Sequence, residues 1–392
     1  VLGAATDATS IEPLEGGLDC VSQFESNGVV AWMTFFSSDV VWRNLTLNIP
    51  GPACAEPWIE DIVEDPSGET FGFIAEDFEF MVFSLNRSPV TDVCGVTAEG
   101  GLKVVNVHVS APVPNFGEPI FNPEGAFSAF TVAGTPPFAC EVNDELVGRV
   151  VVKDSSAYGV GNLLQTGNLA DSVVRFKRNK TSQVDSPVSV VNAERTLVQV
   201  RRNHFDGVWG LGVNIDNCFF GPLGPDCLED TMYVRVLRNT ITTNEGAFTG
   251  VAVFDNFFVP PQIDAKIRNN HIDSTGALSG ILLDSNYGTL VGRNTFNGAS
   301  LFGVIVDGET TKSFIGNNDM TGLAPFEASI LLGELTSMNR VKNNAGATVL
   351  DFGTGNIVTP AAAAEAAEAF GLFRLDKAAA RPTRGLATWS VR

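Results

Sequence analysis

The chain has 392 residues, 44% hydrophobic and only 18% charged, with 25 Lys plus Arg against 45 Asp plus Glu and a net charge of −20. The low charge excludes a disordered chain and allows a large core, as two or three domains or one long all-β unit. A field of that sign repels phosphate backbones and anionic membrane surfaces but suits divalent cations; its plainest role is to keep an apolar protein soluble.

Taken in chain order, residues 1–150 read as irregular β-rich rungs with long Pro/Gly loops such as "APVPNFGEPIFNPEG". "GVVAWMTFFSSDVVWRNLTLN" is one expected rung, with Asn44 in the marker place defined below, and "FGFIAEDFEFMVFSLN" another. "GLKVVNVHVS" and "LVGRVVVKDSSAYGVG" are expected strands. A separate N-terminal β domain is the alternative to rungs continuous with the rest. Four cysteines fall here, Cys20, Cys54, Cys94 and Cys140, and two later, Cys218 and Cys227. None forms a C-x-x-C pair and three histidines are too few for a Cys/His zinc site, so three disulfides are expected, Cys218–Cys227 across "CFFGPLGPDC" first among them. Asn-x-Ser/Thr sequons at Asn44, Asn86 and Asn179, with the cysteines, point to a secreted or surface glycoprotein. The chain opens on Val1 without a charged-then-apolar leader, as a processed chain or a fragment would, and no uncharged apolar run is long enough to span a membrane.

From residue 151 an asparagine marks a repeat, at Asn179, Asn203, Asn239, Asn270, Asn294, Asn318 and Asn344. Three of the six steps are 24 and the last is 26. The steps of 36 and 31 are accounted for by the cysteine loop and by "NFFVPPQ". Three residues before the marker stand Phe176, Val200, Val236, Ile267, Val291, Ile315 and Val341, all large and apolar. A second strand lies upstream in each period, with inward pairs such as Val213/Ile215, Ile281/Leu283 and Val304/Val306. The period is two, so these are strands, and a fixed period broken by turn-rich insertions is a solenoid. On "GILLDSNYGTLVGRNTF" and its recurrences over about residues 185–358, the chain resembles the right-handed parallel β-helix repeat family of pectate-lyase-like architecture. The resemblance implies an all-β coil of 24-residue rungs with the marker asparagines stacked as an internal ladder. Asn is also expected to carry the left-handed backbone at each corner. "TPAAAAEAAEAFGLFRLDKAAARP", 359–382, reads as a helix capped by Thr359 with Pro360 at its first position, covering the end of the coil or reaching a neighbour.

Three outward features could carry chemistry. Asp216, Asp284 and Asp307 fall in one column, with Asp255 and Glu334 one place later. Neighbouring rungs would hold Asp284 and Asp307 about 5 Å apart, which suits a retaining carboxylate pair or a calcium site as well as plain turn chemistry. Arg178, Arg202, Arg238 and Arg293 stand immediately before the marker, helped by Lys177, Arg201 and Arg268, a stripe able to grip acidic sugars. In lyases of the resembled architecture such an Arg acts as base, which makes Arg202 and Arg238 catalytic candidates beside Asp284 and Asp307. His204 and His271 share a column with Thr240 between them, and His108 has no evident partner. The Asn-Thr-Asp, Asp-Asp, Gly-His-Gly and Arg-Ile-Lys sets of polygalacturonases and the Trp-x-Asp-His of pectate lyases are missing. The outward column Ala252, Leu282, Ile305 and Leu331 is apolar and calls for a cover: the N-terminal loops, the C-terminal helix or another protein chain. The expectation is a non-catalytic secreted or surface β-helix protein with a structural, adhesive or assembly role. The alternatives are a lyase or hydrolase of acidic polysaccharide and a glycan binder without turnover.

Overall fold

A computed structural model describes the backbone of residues 9–11, 30–36, 39–48, 63–64, 70–71, 80–86, 98–111, 128–133, 146–221, 224–227, 231–255, 263–359 and 362–363, and side chains over most of them. Thirty strands form one sheet that winds on itself, and every pairing within it is parallel. This is a parallel β-helix. Each turn contributes a strand to three faces, and successive turns lie flush at the ~4.8 Å spacing of paired strands.

The first face holds Ser128–Ala133, the start of Asn162–Lys177, Val188–Glu194, Leu211–Asp216, Thr249–Phe254, Ser279–Asp284, Phe302–Asp307, Ala328–Leu332 and Thr348–Asp351. The second holds Leu146–Lys153, the end of Asn162–Lys177, Leu197–Arg201, Met232–Leu237, Ile263–Arg268, Leu290–Gly292, Phe314–Gly316, Arg340–Lys342 and Ile357–Thr359. The third holds Ser156–Tyr158, Lys180–Val184, His204–Val208, Thr240–Thr243, His271–Asp273, Thr295–Gly298 and Asp319–Leu323. The irregular rungs join the same coil, because Asp39–Asn48 pairs with Ala98–Ser110, which pairs with Leu146–Lys153.

Alternation in each strand sends one set of side chains inward. Phe176, Val200, Val236, Ile267, Val291 and Ile315 are fully buried, stacked column on column with Phe205, Ile241, Ile272 and Phe296 from the third face. The rings of Phe176 and Phe205 meet at 6.0 Å.

The seven marker asparagines stack at the corner between second and third faces. The backbone N–H of each donates to the Oδ1 of the next, at 2.9 Å from Asn179 to Asn203, 2.9 Å from Asn239 to Asn270 and 2.9 Å from Asn294 to Asn318. Each Nδ2 donates to a carbonyl on the preceding rung, as from Asn294 to Ile267 at 3.0 Å, and most donate also to the next Oδ1. Ser155 begins the ladder by donating its N–H to Asn179 Oδ1 at 3.1 Å.

The asparagine is not the residue that turns left-handed. That residue is the one before it: Asp154, Arg178, Arg202, Arg238, Asn269, Arg293, Asn317 and Asn343 all have φ between 54° and 58°. The ladder residue itself points into the core in ordinary geometry and supplies hydrogen bonds. Asn44 and Asn106 belong to this turning column too, with φ of 56° and 53°. Asn44 is therefore outside the ladder; the inward residue after it is the buried Leu45.

The first insertion lies where the step of 36 places it. Cys218–Gly221 and Gly224–Cys227 form an antiparallel hairpin with Cys218 opposite Cys227 in register. The "NFFVPPQ" segment, Cys20, Cys54, Cys94 and Cys140 lie outside the described residues. The expected helix does not begin where its cap was placed. Thr359 ends a strand paired with Arg340–Lys342, and Ala362–Ala363 is a strand paired with Thr348–Asp351, so the described residues of the presumed first turn extend the sheet. The remainder of 359–382 lies outside the described residues.

Replacing Asn294 by Ala removes the acceptor for the buried Asn270 N–H and the donor to Ile267 O. Chemical denaturation should show a loss of about 2–4 kcal/mol, the range for orphaning buried polar groups. Arg293→Gly next to it should cost little or stabilise, because glycine accepts φ > 0 freely; an equal loss in both variants would refute the ladder's role.

Candidate functional site

The outward side of the second face and its left-handed corner concentrate positive charge. Period two places residues three and one before the corner on the same outer surface, about 6.6 Å apart along the strand. Successive rungs present Arg175, Lys177 and Arg178; Gln199, Arg201 and Arg202; Arg235, Leu237 and Arg238; Lys266, Arg268 and Asn269. Lys153 lies in register before the first of these rungs, and Gly292 with Arg293 after the last. Beyond that one rung is neutral, at Phe314, Gly316 and Asn317, and the next carries Arg340 and Lys342.

Two members are neutralised. Arg178 grips Asp154 through two bonds of 2.6 and 2.7 Å, and this holds the Asp154 carboxyl below its ordinary value and raises Arg178. Arg235 reaches Asp264 at 2.9 Å. Arg202, Arg238 and Arg293 have no ion-pair partner among the described residues. The Nε atoms of Arg175, Arg201 and Arg268 are buried against their neighbours without an acceptor. Lys177 is crowded by Arg178 first and then by Arg201 and Arg202, which together with desolvation lower its pKa. The array thus has more donors than the chain satisfies.

The corner arginines Arg178, Arg202, Arg238 and Arg293 stand exposed in one column, interrupted by Asn269. Arg175, Arg235 and Lys266 were not singled out in the sequence. Their signal was parity: they lie two residues before Lys177, Leu237 and Arg268 in a period-two strand, and so must share their side.

The acidic column is less simple than its spacing. Asp284 and Asp307 are direct register partners on the first face, but Phe254 stands between Asp216 and Asp284. Asp284 accepts a hydrogen bond from Ser285 Oγ at 2.8 Å. Asp255 is no part of the outer column; it is buried and staples the backbone N–H of Ile263 at 2.8 Å. Among the described residues, no three His, Cys, Asp or Glu side chains gather as a metal site. The catalytic candidates also fall apart. Asp284 and Asp307 lie at the end of first-face strands, whereas Arg202 and Arg238 lie across the full second face at its far corner.

The apolar column does not offer a free surface. Ala252 and Ile305 are 0% exposed and Leu282 5%, inside a second apolar cluster with Leu211, Phe254 and Phe302. Only Leu331 of the four retains accessible area. Toward the N-terminus the same column turns polar, through Asn214, Ser189, Gln165 and Thr131. A partner chain is therefore not needed to cover Ala252, Leu282 and Ile305.

His108 joins the histidine column, because it pairs in register with Ser156, which pairs with Lys180 and so with His204. His108 Nδ1 lies 2.7 Å from Ser156 Oγ and its pKa is lowered by burial. His204 and His271 are exposed with Thr240 between them. Asn179 cannot carry a glycan in this fold, since it is 1% exposed and its amide is spent on Val152 O and Ser155 N–H. Asn44 is half-buried and its Oδ1 accepts from Asn106 at 3.1 Å; the Asn86 side chain lies outside the described set.

One carboxyl is shifted strongly upward. Asp185, at the corner between the third and first faces, is pushed to about 6 by desolvation, against the opposing hydrogen bond from Ser186 Oγ at 3.0 Å. Gly210 packs so closely on it that a Cβ there would lie 2.4 Å from Asp185 Oδ1. It is remote from the basic array, and its hydrogen bond from Ser186 does not make a nucleophile–base pair.

No protein-family model matches the chain, and no curated protein sequence does. Among solved structures it is similar to the A-module of an Azotobacter vinelandii mannuronan C-5 epimerase, with 10% identity, a TM-score of 0.42, and 91% of this chain and 80% of that one covered. It is similar also to a periplasmic alginate epimerase, with 9% identity, a TM-score of 0.42, and 87% and 83% covered. A third is the Streptococcus pneumoniae surface protein and adhesin PfbA, with 11% identity, a TM-score of 0.34, and 89% and 100% covered. Likeness at this level transfers no site residue. Among the described residues no helix is long and apolar enough to cross a membrane.

Asp185 gives a pH signature. Its folded pKa of about 6 lies above the ordinary 3.8, so the folded state binds the extra proton. Its contribution is fully present below the unfolded value and is lost as pH rises through about 6. Asp185→Asn should remove a decline of roughly 1–2 kcal/mol across that window, measured by denaturant titration at pH 4 and pH 7. An unchanged slope would show that Asp185 titrates normally.

Proposed function

We propose that this chain is a non-catalytic β-helix protein of the cell exterior whose second face docks a linear anionic polymer, giving it an adhesive or assembly role. The observation that carries this reading is the array from Lys153 to Arg293. A protein of net charge −20 places unpaired cations at fixed ~4.8 Å rungs on one surface, and the same columns carry Lys103 before the array and Arg340 and Lys342 beyond one neutral rung. Unpaired like charges destabilise a fold; holding them on a rigid strip costs stability and is repaid when oxoanions bridge them.

The repeated spacing suits a polymer that runs along the coil axis and meets the same group on every rung. Catalysis is the weaker reading, because the carboxylates and the arginines singled out for it occupy opposite ends of the second face. The position of Cys218 opposite Cys227 supports an oxidising, extracellular setting in which that hairpin is crosslinked.

Calorimetric titration of the intact chain with an anionic polysaccharide and with neutral dextran tests this. The anionic polymer should bind, weaken steeply with added salt, and lose at least tenfold in affinity in an Arg202→Glu/Arg238→Glu double variant whose melting is retained. Equal affinity for neutral dextran, or no effect of charge reversal, would overturn the proposal.

A further inference from the structure

The charge on this strip falls in three outward columns, and the count per rung points to the class of polymer. We infer that the second face is matched to a sulfated polysaccharide, bearing more than one oxoanion per sugar, rather than to a polymer with one carboxylate per sugar. This rests on the polyanion-docking reading above. The inner column, Lys177, Arg201, Leu237 and Arg268, stands on the strand surface at the last residue before the turn; the outer column, Arg178, Arg202, Arg238 and Asn269, radiates from the left-handed corner; and a third, two residues earlier on the strand, adds Arg175, Arg235 and Lys266.

Charge can be summed rung by rung. Arg175, Lys177 and Arg178 less Asp154 leave two net cations; Arg201 and Arg202 give two. Arg235 is cancelled by Asp264, so Arg238 leaves one, and Lys266 with Arg268 gives two on the next rung. A sugar chain lying along the axis advances by about one rung height per residue, ~4.8 Å. One carboxylate per sugar then answers one cation per rung and leaves a second unanswered wherever a rung carries two. Sulfate esters on opposite edges of each ring answer both. Arg175, Arg201 and Arg268 each keep a buried Nε without an acceptor, and the like charges of the strip repel one another. The crowding of Lys177 by three guanidinium groups is the same repulsion. The strip is one strand face and its corner wide on a chain whose remaining field is negative, which favours a thin single strand over a nucleic-acid duplex.

The test compares ligands of matched length on the intact chain by calorimetry at fixed ionic strength: dextran sulfate, a polyuronate, single-stranded DNA and neutral dextran. Dextran sulfate should bind at least tenfold more tightly than the polyuronate, with a steeper fall in affinity as salt rises. A Lys177→Gln/Arg201→Gln variant should bring the two within threefold by weakening only dextran sulfate. Arg238→Gln should weaken both, and circular dichroism should show both variants folded. Equal binding of dextran sulfate and polyuronate by the native chain would overturn this inference and leave the polyanion reading standing. Tightest binding of DNA would overturn it in favour of a nucleic-acid ligand. Binding of no anionic polymer would overturn both.

Discussion

Everything in this coil depends on a corner two residues long. The chain must leave the second face, reverse into left-handed backbone for one residue, and set the next side chain inward under the identical side chain of the following rung. Asn179 to Asn344 do the inward part. Their amide oxygens accept from the previous rung's N–H, and their amide nitrogens donate to that rung's carbonyl and mostly to the next amide oxygen, so the corner buries its polar groups without an orphan. Once that corner is fixed, the strands on either side fall into register, and every outward residue stands above its counterpart. The core columns and the charged strip are both consequences of this stacking.

The division of labour at the corner explains what the sequence disclosed and what it hid. The inward position demands a residue that both donates and accepts in a buried amide geometry, so it reads as an invariant letter at a fixed period. The turning position demands only tolerance of positive φ and an outward side chain, so it holds Asp154, arginines and Asn269 in turn and shows no single letter. Asn44 and Asn106 occupy the turning position, and a search for asparagine alone confuses the two. Arg178, Arg202, Arg238 and Arg293 were visible because they abut the ladder. Arg175, Arg235 and Lys266 were hidden because their column is interrupted by Gln199 and Leu290.

Two further differences have a common cause. Ala252, Leu282 and Ile305 look like an exposed strip because period two fixes only the direction of a side chain, not what the rest of the chain lays over it. The residues just after Thr359 look helical because alanine has high helix propensity, yet the two described ones, Ala362 and Ala363, extend the sheet, and the rest of the stretch lies outside the described residues. An open sheet edge offers unpaired backbone groups at the correct spacing, and pairing with it outweighs a local preference of a few tenths of a kcal/mol per residue.

Stacked columns also constrain what such a surface can do. A coil repeats like groups along its axis, whereas catalysis requires unlike groups to converge on one atom. Asp284 and Asp307 are adjacent but alike, and Arg202 and Arg238 are alike and far from them. Convergence would need an insertion or a corner that brings a base to a carboxylate. The perturbed Asp185 has Ser186 as its hydrogen-bond donor and no base beside it in that bond. What repetition does well is hold a polymer, because each rung adds the same contact and the backbone of the coil prevents the cations from separating to relieve their repulsion. The ladder that removes polar frustration from the interior therefore also fixes the like-charge repulsion on the exterior.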